Sequence, residues 1–231
     1  MGDVALERTA ADCEWKTTHL SRGRARVEGR GRELDGMEAL LKTFRDSYGK
    51  LASARERWDE GHAAATALLT TVVNAYERLP TLESATASTL GSEELVGTVV
   101  EAQYMALDRV FTRLLEECDG FDALVREMER AKTDAWARAR ALNPPPKRAG
   151  GEKSGPQPSI SDCVLGLEDA WVMYRDESAL KREIVKKART CEDIDDLKTM
   201  LRLFIAQANL DPEELRVIVE RVPLKNVEAM R

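Results

Sequence analysis

The sequence predicts an all-α protein, in which a long antiparallel, coiled-coil-like helical hairpin is followed by a C-terminal set of three shorter helices. Charged residues make up 33% of the chain and aromatic residues only 5%, a balance typical of long exposed helices rather than of one thick core. Large apolar residues recur at alternating steps of three and four, the spacing of one helix face. No strand-like alternation of apolar and polar residues is found in the sequence.

The first helix of the hairpin is predicted to begin at Met37 and to end at Pro80. Its apolar seam is broken only at Arg55 and consists of Met37, Leu41, Phe44, Tyr48, Leu51, Trp58, His62, Ala65, Leu69, Val72, Tyr76 and Leu79. Residues 1–36 are rich in arginine but interrupted by acidic residues, unlike an organelle transit peptide. We therefore expect a disordered basic leader over residues 1–36.

The second helix of the hairpin is predicted to follow a loop from Pro80 to Gly91. Ser92 is a suitable N-cap, and the carboxylates of Glu93 and Glu94 would stabilise the positive, N-terminal end of the helix dipole. Asp119-Gly120 is the expected position of a kink. The second seam consists of Val100, Tyr104, Leu107, Phe111, Leu114, Cys118, Phe121, Val125 and Met128, with Ala135 later. Residues 37–142 are thus predicted to form the hairpin.

A linker over residues 143–157 is predicted to separate the hairpin from a C-terminal helical region, because three consecutive prolines and several glycines interrupt any helix. The C-terminal region covers residues 158–223, and residues 224–231 form a tail. Three helix starts are expected there: capping boxes at Ser159 with Asp162 and at Thr190 with Asp193, and Pro212 at the first helical position after Asp211.

No catalytic, cofactor-binding or metal-binding residue is predicted, so we do not expect an enzyme. His19 lies in the leader, and His62 lies on an apolar seam, where a lone histidine is a packing residue more often than a base. The four cysteines lack metal-site spacing, and Cys118 is expected to be a small buried apolar residue. There is no apolar run long enough to span a membrane. A cytosolic or nuclear protein is expected.

Basic residues cluster near the end of the third predicted helix, at Lys181, Arg182, Lys186, Lys187 and Arg189. Positive charge at that end complements the helix dipole, which is a structural explanation. The alternative is contact with an acidic partner or with RNA. Direct nucleic-acid binding is not expected, because the net charge is −6 and the aromatic residues lie on seams rather than among these basic residues.

Two separated groups of motifs are found in the sequence. The first group consists of the run Pro158-Ser159-Ile160-Ser161-Asp162, then Leu167, Asp169, Tyr174-Arg175 and Leu180-Lys181-Arg182. The second consists of Tyr48, ten residues before Trp58, then Leu68-Leu69-Thr70-Thr71, Asn74, Glu77 and Leu79. Together they resemble the AIRIM family of AAA ATPase-interacting ribosome maturation factors, also known as casein kinase two substrates. Gly166 and Trp171 depart from the family pattern.

The resemblance implies a non-catalytic helical adaptor of an AAA ATPase complex that releases a pre-ribosomal factor during large ribosomal subunit maturation. The expected partners are the ATPase and a second small helical subunit, with pre-ribosomal particles as a further candidate, in the cytoplasm and nucleus. No cofactor and no membrane contact are expected. The competing classes are a coiled-coil subunit of a tether, kinetochore or cytoskeletal complex, and an RNA-binding helical module that uses Lys181 to Arg189.

The third predicted helix, Ile160 to Arg189, is expected to be the main docking element, since the linker frees it and its apolar stripe needs cover. The competing explanation is a small bundle with the two short helices that follow. Its predicted partner-binding residues are Asp162, Leu167, Asp169, Trp171, Tyr174, Arg175, Lys181 and Arg182. Ser159 and Thr190 are candidate phosphorylation sites, because each precedes an aspartate by three residues, although that spacing also makes a capping box.

Overall fold

The helices that the apolar seams predict are present in a computed structural model, which describes residues 7–84, 93–141 and 159–222. In chain order they are α1 (Glu7–Glu83), α2 (Glu93–Arg140), α3 (Ile160–Arg189), α4 (Ile194–Ala206) and α5 (Pro212–Glu220). The described ranges contain no strand. The prediction of an all-α chain with two long packed helices and shorter ones after them is confirmed.

Residues 1–44 and 45–231 form two separate units, and α1 begins in the first and ends in the second. The backbone is helical from Glu7, where the sequence predicted a disordered leader as far as residue 36. This stretch contains no proline, and a helix that is already nucleated extends at little cost per residue. Residues 1–6 and the side chains of residues 7–39 lie outside the described part of the chain.

The end of α1 differs from the prediction, because the helix passes through Pro80 and ends at Glu83. Proline lacks an N–H, so it removes one helical hydrogen bond, but its carbonyl still accepts. Here the backbone N–H of Ser84 donates to the carbonyl of Pro80 at 3.0 Å, which completes the last turn. The helix therefore continues into the stretch predicted as a loop, and Ser92, the predicted N-cap of the next helix, lies outside the described residues.

Helices α1 and α2 run antiparallel within the second unit. Near one end the hydroxyl of Ser47 donates to the carbonyl of Ala131 at 3.4 Å, and near the other the hydroxyl of Tyr104 donates to Glu83 at 3.0 Å. A kink was predicted at Asp119-Gly120. Helix α2 continues through these two residues without interruption.

The core of the second unit is formed by all five helices. Its larger buried side chains are Tyr48, Leu51, Trp58, Leu69 and Val72 of α1, Leu107, Phe111, Leu114, Cys118 and Phe121 of α2, Val164, Leu167, Tyr174 and Ile184 of α3, Leu197 and Phe204 of α4, and Leu215 and Ile218 of α5. The apolar stripe of α3 is therefore covered within the chain, by the hairpin as well as by α4 and α5. The expectation that this stripe needs a partner's surface is wrong, and the small-bundle explanation accounts for only part of its cover.

Helix α3 packs antiparallel along α2. Arg189 near the end of α3 pairs with Asp108 at 2.9 Å, and Lys132 near the end of α2 lies over the ring of Trp171. Helices α4 and α5 pack on α3. The hairpin from residue 45 onwards and the C-terminal helices thus form one unit rather than two domains divided at the linker. Residues 142–158 and 223–231, which include the predicted linker and tail, lie outside the described residues.

Two of the three predicted C-terminal helix starts are confirmed. The hydroxyl of Ser159 accepts from the backbone N–H of Asp162 at 3.1 Å, and the carboxylate of Asp162 accepts from the N–H of Ser159 at 3.2 Å, which is a complete capping box. Asp211 caps α5 with Pro212 at its first position. Both caps satisfy backbone donors that a helix start leaves open.

The capping box predicted at Thr190 is wrong. Thr190 ends α3, and the N-cap of α4 is Asp193, whose carboxylate accepts from the backbone N–H of Asp195 at 2.7 Å and of Asp196 at 3.4 Å. The carboxylate of an aspartate can cap a helix by accepting from the backbone N–H two residues later, without a second capping residue. Helix α4 therefore begins directly after Asp193. The hydroxyl of Thr190 instead donates to the carbonyl of Lys187 at 3.3 Å.

A close approach at Gly166 leads to the first testable prediction. A Cβ atom there would lie 2.8 Å from the hydroxyl oxygen of Tyr48 and 3.1 Å from an Arg221 nitrogen. Tyr48 is fixed, because it is fully buried and donates to the carbonyl of Cys163 at 2.8 Å. We expect Gly166→Ala to lower the free energy of unfolding by about 1–3 kcal/mol, as overpacking does.

The matched control is Gly49→Ala, because an added Cβ at Gly49 meets nothing within 4 Å. Alanine in a helix interior is favoured over glycine by about 1 kcal/mol, so this variant should gain stability. Urea unfolding followed by circular dichroism measures both. If Gly166→Ala gained as much stability as Gly49→Ala, the close approach at Tyr48 would not exist in solution.

Candidate functional site: a sealed polar cluster and an exposed apolar face

The eight predicted partner-binding residues of α3 do not share one surface. Leu167, Tyr174 and Lys181 are buried in the core, so their side chains are not available to a partner. Asp162, Trp171 and Arg182 are half-buried, and Asp169 and Arg175 are exposed. Partner contact remains a prediction for the residues that solvent reaches. The main role of α3 in this unit is to pack against the hairpin.

Trp58 is the side chain on which four elements meet. It is 0% exposed. Its ring centroid lies 4.4 Å from that of Phe121 on α2 and 5.0 Å from that of Tyr174 on α3. Its indole N–H donates to the side-chain oxygen of Gln207 at 2.8 Å. Gln207 has a left-handed backbone with φ of 48° at the end of α4. Trp58 therefore ties α1 to α2, α3 and the end of α4.

A buried ion pair lies beside this aromatic group. Lys181 and Glu177, one helical turn apart on α3, are both 0% exposed, and their charged atoms are 3.3 Å apart. The ammonium of Lys181 also donates to the carbonyl of Phe204 at 2.9 Å and contacts Nδ1 of His62 at 3.0 Å. An ammonium has three protons to donate, and this one has a carbonyl and a ring nitrogen at hydrogen-bond distance, with the Glu177 carboxylate beside it as an ion pair. The geometry therefore fits a charged lysine.

The second carboxylate oxygen of Glu177 holds the turn after α4. It accepts from the backbone N–H of Asn209 at 3.0 Å and from its side-chain amide at 3.2 Å. Burial lowers the pKa of the Lys181 ammonium, and the Glu177 charge opposes that effect. The pair connects α3 to the last turn of α4 and to the chain that follows it, because Lys181 reaches Phe204 and Glu177 reaches Asn209.

His62 is the third member of this cluster, and its environment keeps it neutral. Its ring stacks on Phe204 with centroids 5.8 Å apart. Burial, with a smaller contribution from the Lys181 charge, lowers the pKa of His62 to about 4. Since the ammonium can only donate, Nδ1 of His62 accepts and the ring proton is on Nε2. The expectation that His62 is a packing residue agrees with this arrangement.

The second testable prediction concerns pH. Because the folded pKa of His62 is about 4 and the unfolded value is about 6.5, the unfolded chain binds more protons between these values. We therefore expect His62 to add no pH dependence above about pH 6.5, and to lower stability progressively as the pH falls from there to about 4. Chemical denaturation across this pH range measures the slope.

His62→Asn is the matched control, because the amide oxygen of asparagine can replace Nδ1 as an acceptor for Lys181 but does not titrate. Subtracting its pH profile removes the contribution of the carboxylates. Identical slopes for the two proteins between pH 6.5 and 4 would contradict the assignment of a neutral, buried ring to His62.

The basic residues near the end of α3 are largely paired within the chain. Arg182 donates to Asp119 at 2.7 Å and to Asp122 at 2.6 Å. Farther along, Lys186 pairs with Glu183 at 2.7 Å, and Arg189 pairs with Asp108 as described above. Pairing of this kind lowers the positive potential that a phosphate backbone would meet. It therefore weighs against RNA binding by Lys181 to Arg189.

Two tryptophans lie next to cations that do not belong to the basic cluster near the end of α3. The Lys132 ammonium lies 3.4 Å and the Arg175 guanidinium 4.8 Å from the ring centroid of Trp171. Arg140 lies 5.2 Å from the ring of Trp136. The contact between Lys132 and Trp171 joins α2 to α3 and stabilises their packing.

The buried cysteines are not reactive sites. Burial is the main cause that raises the pKa of Cys118, and likewise of Cys163, to about 11, so both stay protonated at neutral pH. Among the described residues, no three His, Cys, Asp or Glu side chains are grouped so as to hold a metal ion. No helix in the described ranges is both long and apolar enough to cross a lipid bilayer.

Apolar side chains, in contrast, are exposed on α2, α4 and α5 of the second unit. The large ones are Leu95, Val99, Tyr104 and Met105 on α2, Leu203 and Ile205 on α4, and Val217 on α5. The predicted seam through Val100 and Leu107 includes Tyr104, which is exposed, and does not include Leu95, Val99 or Met105. The helical spacing of Val99 and Met105 could have predicted this group, because it puts them on a second face of the same helix.

A family model described as "CA109-like: Ribosome biogenesis protein C1orf109-like" matches residues 38–227, which is most of the chain. No curated protein matches the sequence.

Proposed function

Because the chain belongs to the C1orf109-like ribosome biogenesis protein family, the family that its AIRIM-like motifs indicated, we propose that it is a non-catalytic helical adaptor subunit of an AAA ATPase complex. The complex would act in large ribosomal subunit maturation, where it releases a pre-ribosomal factor for reuse. The ATPase hydrolyses ATP, and this chain supplies a binding surface. Its proposed partners are the ATPase, a second small helical subunit and pre-ribosomal particles, in the cytoplasm and nucleus.

The contrast between the interior and the surface of the second unit is the observation that carries this proposal. Glu177 and Lys181 are fully buried and face each other, so substrate has no access to them. Large apolar side chains such as Val99 and Met105 are exposed on a rigid helix. Catalysis requires polar groups that converge where a substrate can bind, whereas exposed apolar patches are typical of protein–protein contacts.

Affinity purification from native cells tests the proposal. The chain is tagged at its own locus, purified at near-physiological salt and analysed by quantitative mass spectrometry. We expect an AAA ATPase and large-subunit precursors to be enriched in stoichiometric amounts, and the purified chain alone to lack ATPase activity. Enrichment of cytoskeletal or kinetochore subunits without ribosomal precursors would contradict the proposal and support the structural coiled-coil alternative.

A further inference from the structure

A cavity of about 370 Å³ lies where the end of α1, the first third of α2 and the turn between α3 and α4 meet. It is lined by one face of α1 from Tyr76 to Glu83, by Tyr104 of α2, and by the turn from Arg189 to Glu192. Its volume is within the range of about 300–1,000 Å³ that small-ligand sites have. Because Glu83, Tyr104 and Glu192 are exposed, a ligand can enter the cavity from solvent.

Two tyrosine rings line this cavity. Tyr76 is half-buried and Tyr104 is exposed, and the hydroxyl of Tyr104 donates to the carboxylate of Glu83 at 3.0 Å, which holds its ring in place. That hydrogen bond is the main cause that raises the pKa of Tyr104, and the charge of Glu192 contributes. Burial is the main cause that raises the pKa of Tyr76, and Glu192 again contributes. Glu192 is therefore close enough to act on both rings, whose faces attract cations.

The charged side chains of the cavity leave it negative. Its lining contains two carboxylates, Glu83 and Glu192, and one basic side chain, Arg189. The guanidinium of Arg189 is already paired with Asp108 at 2.9 Å. Within the described part of the chain, Glu83 and Glu192 form no ion pair. Two carboxylates without a cation lie beside two aromatic rings, and this combination favours a cationic ligand.

Among cationic side chains, the lining fits a guanidinium better than an ammonium. A guanidinium is flat, so one of its faces can stack on a tyrosine ring while its edge donates to carboxylates. An ammonium is a compact, strongly hydrated charge that gains less from a ring. Anions are disfavoured by the two carboxylates, and an apolar ligand would remove water from Glu83 and Glu192 without replacing its hydrogen bonds. The cavity should therefore prefer arginine to lysine.

The stretches outside the described residues that follow α1, α2 and α5 do not supply this arginine. Residues 85–92 contain no lysine or arginine. Residues 142–158 are held at the start of α3, so these 17 residues reach at most about 30 Å, whereas α3 is about 45 Å long and the cavity lies at its other end. Residues 223–231 follow Arg221, which donates to the carbonyl of Asp162 at the start of α3, and they extend about 32 Å at most. These distances favour an arginine of another polypeptide.

We propose that the cavity between Tyr76 and Tyr104 binds the guanidinium group of an arginine presented by another polypeptide, with Glu83 and Glu192 compensating its charge. Tyr104 supplies a ring face that is fixed by its hydrogen bond to Glu83. The next residue, Met105, is 56% exposed, so a polypeptide that presents the arginine can also cover apolar surface beside the cavity. This site goes beyond the adaptor function proposed above and does not depend on the identity of the ATPase.

The test uses the full chain, labelled with nitrogen-15, and three synthetic peptides with the sequence acetyl-Ala-X-Ala-amide. X is arginine, lysine or citrulline, and citrulline has nearly the shape of arginine without its charge. Each peptide is added up to about 20 mM, because a single side chain in an open cavity binds in the millimolar range. We expect saturable shifts of the Tyr104 and Cys191 amide signals with the arginine peptide. Binding should be at least threefold weaker for lysine and at least tenfold weaker for citrulline.

The double variant Glu83→Gln with Glu192→Gln should reduce binding of the arginine peptide at least tenfold. Its melting temperature should not change, because both side chains are exposed and glutamine can still accept from Tyr104. The matched control is Glu116→Gln with Glu129→Gln, which removes the same charge from exposed positions outside the cavity and should leave binding within twofold.

A second pair of variants tests the ring. Tyr104→Leu should weaken binding of the arginine peptide at least threefold, whereas Tyr104→Phe keeps the ring face and should bind more tightly than Tyr104→Leu. Four results would overturn the proposal: no saturable shift at Tyr104 and Cys191, equal binding of the arginine and citrulline peptides, lysine binding as tight as arginine binding, or equal losses in the two double glutamine variants.

Analytical ultracentrifugation identifies the source of the arginine, since a second copy of this chain and a different protein present the same group. A dimer of the unaltered chain that dissociates in the Glu83→Gln, Glu192→Gln variant would assign the arginine to a second copy. A monomer that binds the arginine peptide would assign it to a different protein. Both results support the site. Failure of the adaptor function is distinguishable, because the chain would then bind the arginine peptide but recover no ATPase from cells.

Discussion

Replacing Trp58 by alanine should lower the free energy of unfolding by about 3–5 kcal/mol, the range for removing a fully buried large aromatic side chain. The indole is 0% exposed and packs between Phe121 and Tyr174. Its removal leaves a cavity bordered by three helices that cannot all move inward together. Urea unfolding, followed by circular dichroism and by the fluorescence of the remaining tryptophans, measures the loss.

Trp58→Phe is the matched control, because it keeps an aromatic ring and loses the hydrogen bond to Gln207. We expect it to cost about 1 kcal/mol for the unmade hydrogen bond, plus a packing loss smaller than that of alanine. In the Gln207→Ala background, the additional cost of Trp58→Phe should shrink, since the hydrogen bond is already absent. A loss below 1 kcal/mol for Trp58→Ala would place this ring at the surface and contradict the described core.

Replacing Lys181 by methionine should be about as costly as the loss of Trp58. Removing one partner of a buried ion pair costs about 3–5 kcal/mol, because the other charge is left in the core without compensation. Here the charge left behind is that of Glu177, which is 0% exposed. Unfolding of Lys181→Met in guanidinium or urea measures the loss.

Two variants separate burial of charge from simple loss of a lysine. Lys181→Met combined with Glu177→Gln should recover part of the loss, because glutamine can still accept from Asn209 without a charge. Lys186→Met should cost at most about 0.5 kcal/mol, since its pair with Glu183 is exposed. Equal effects of Lys181→Met and Lys186→Met would contradict a buried ion pair.

The helices were predictable from the sequence because each is specified locally. The seam through Trp58 and the capping box at Ser159 each involve residues within a turn or two of one another. The start of α1 and its end beyond Pro80 were not predicted, because they depend on how far an established helix extends. The cap of α4 was assigned to Thr190 instead of Asp193, since both residues stand at suitable spacing and only the backbone direction decides between them.

The site was less predictable, because it depends on which faces meet. Glu177 and Lys181 have the spacing of a surface ion pair on a helix, and only the packing of α3 against α1 and α4 shows that both are buried. The same packing explains why Leu167 and Tyr174, predicted to bind a partner, are core residues. To predict the exposed face at Val99 and Met105 from the sequence, one would have to know which of the two apolar stripes on α2 faces α1.

We propose that this chain serves large ribosomal subunit maturation by binding rather than by chemistry. Acute depletion of the chain, followed by sucrose-gradient separation of ribosomal particles, is the decisive experiment. We expect large subunits to fall relative to small subunits, a recyclable factor to stay on large-subunit precursors, and the unaltered chain to restore the profile. An unchanged ratio of large to small subunits after complete depletion would contradict it.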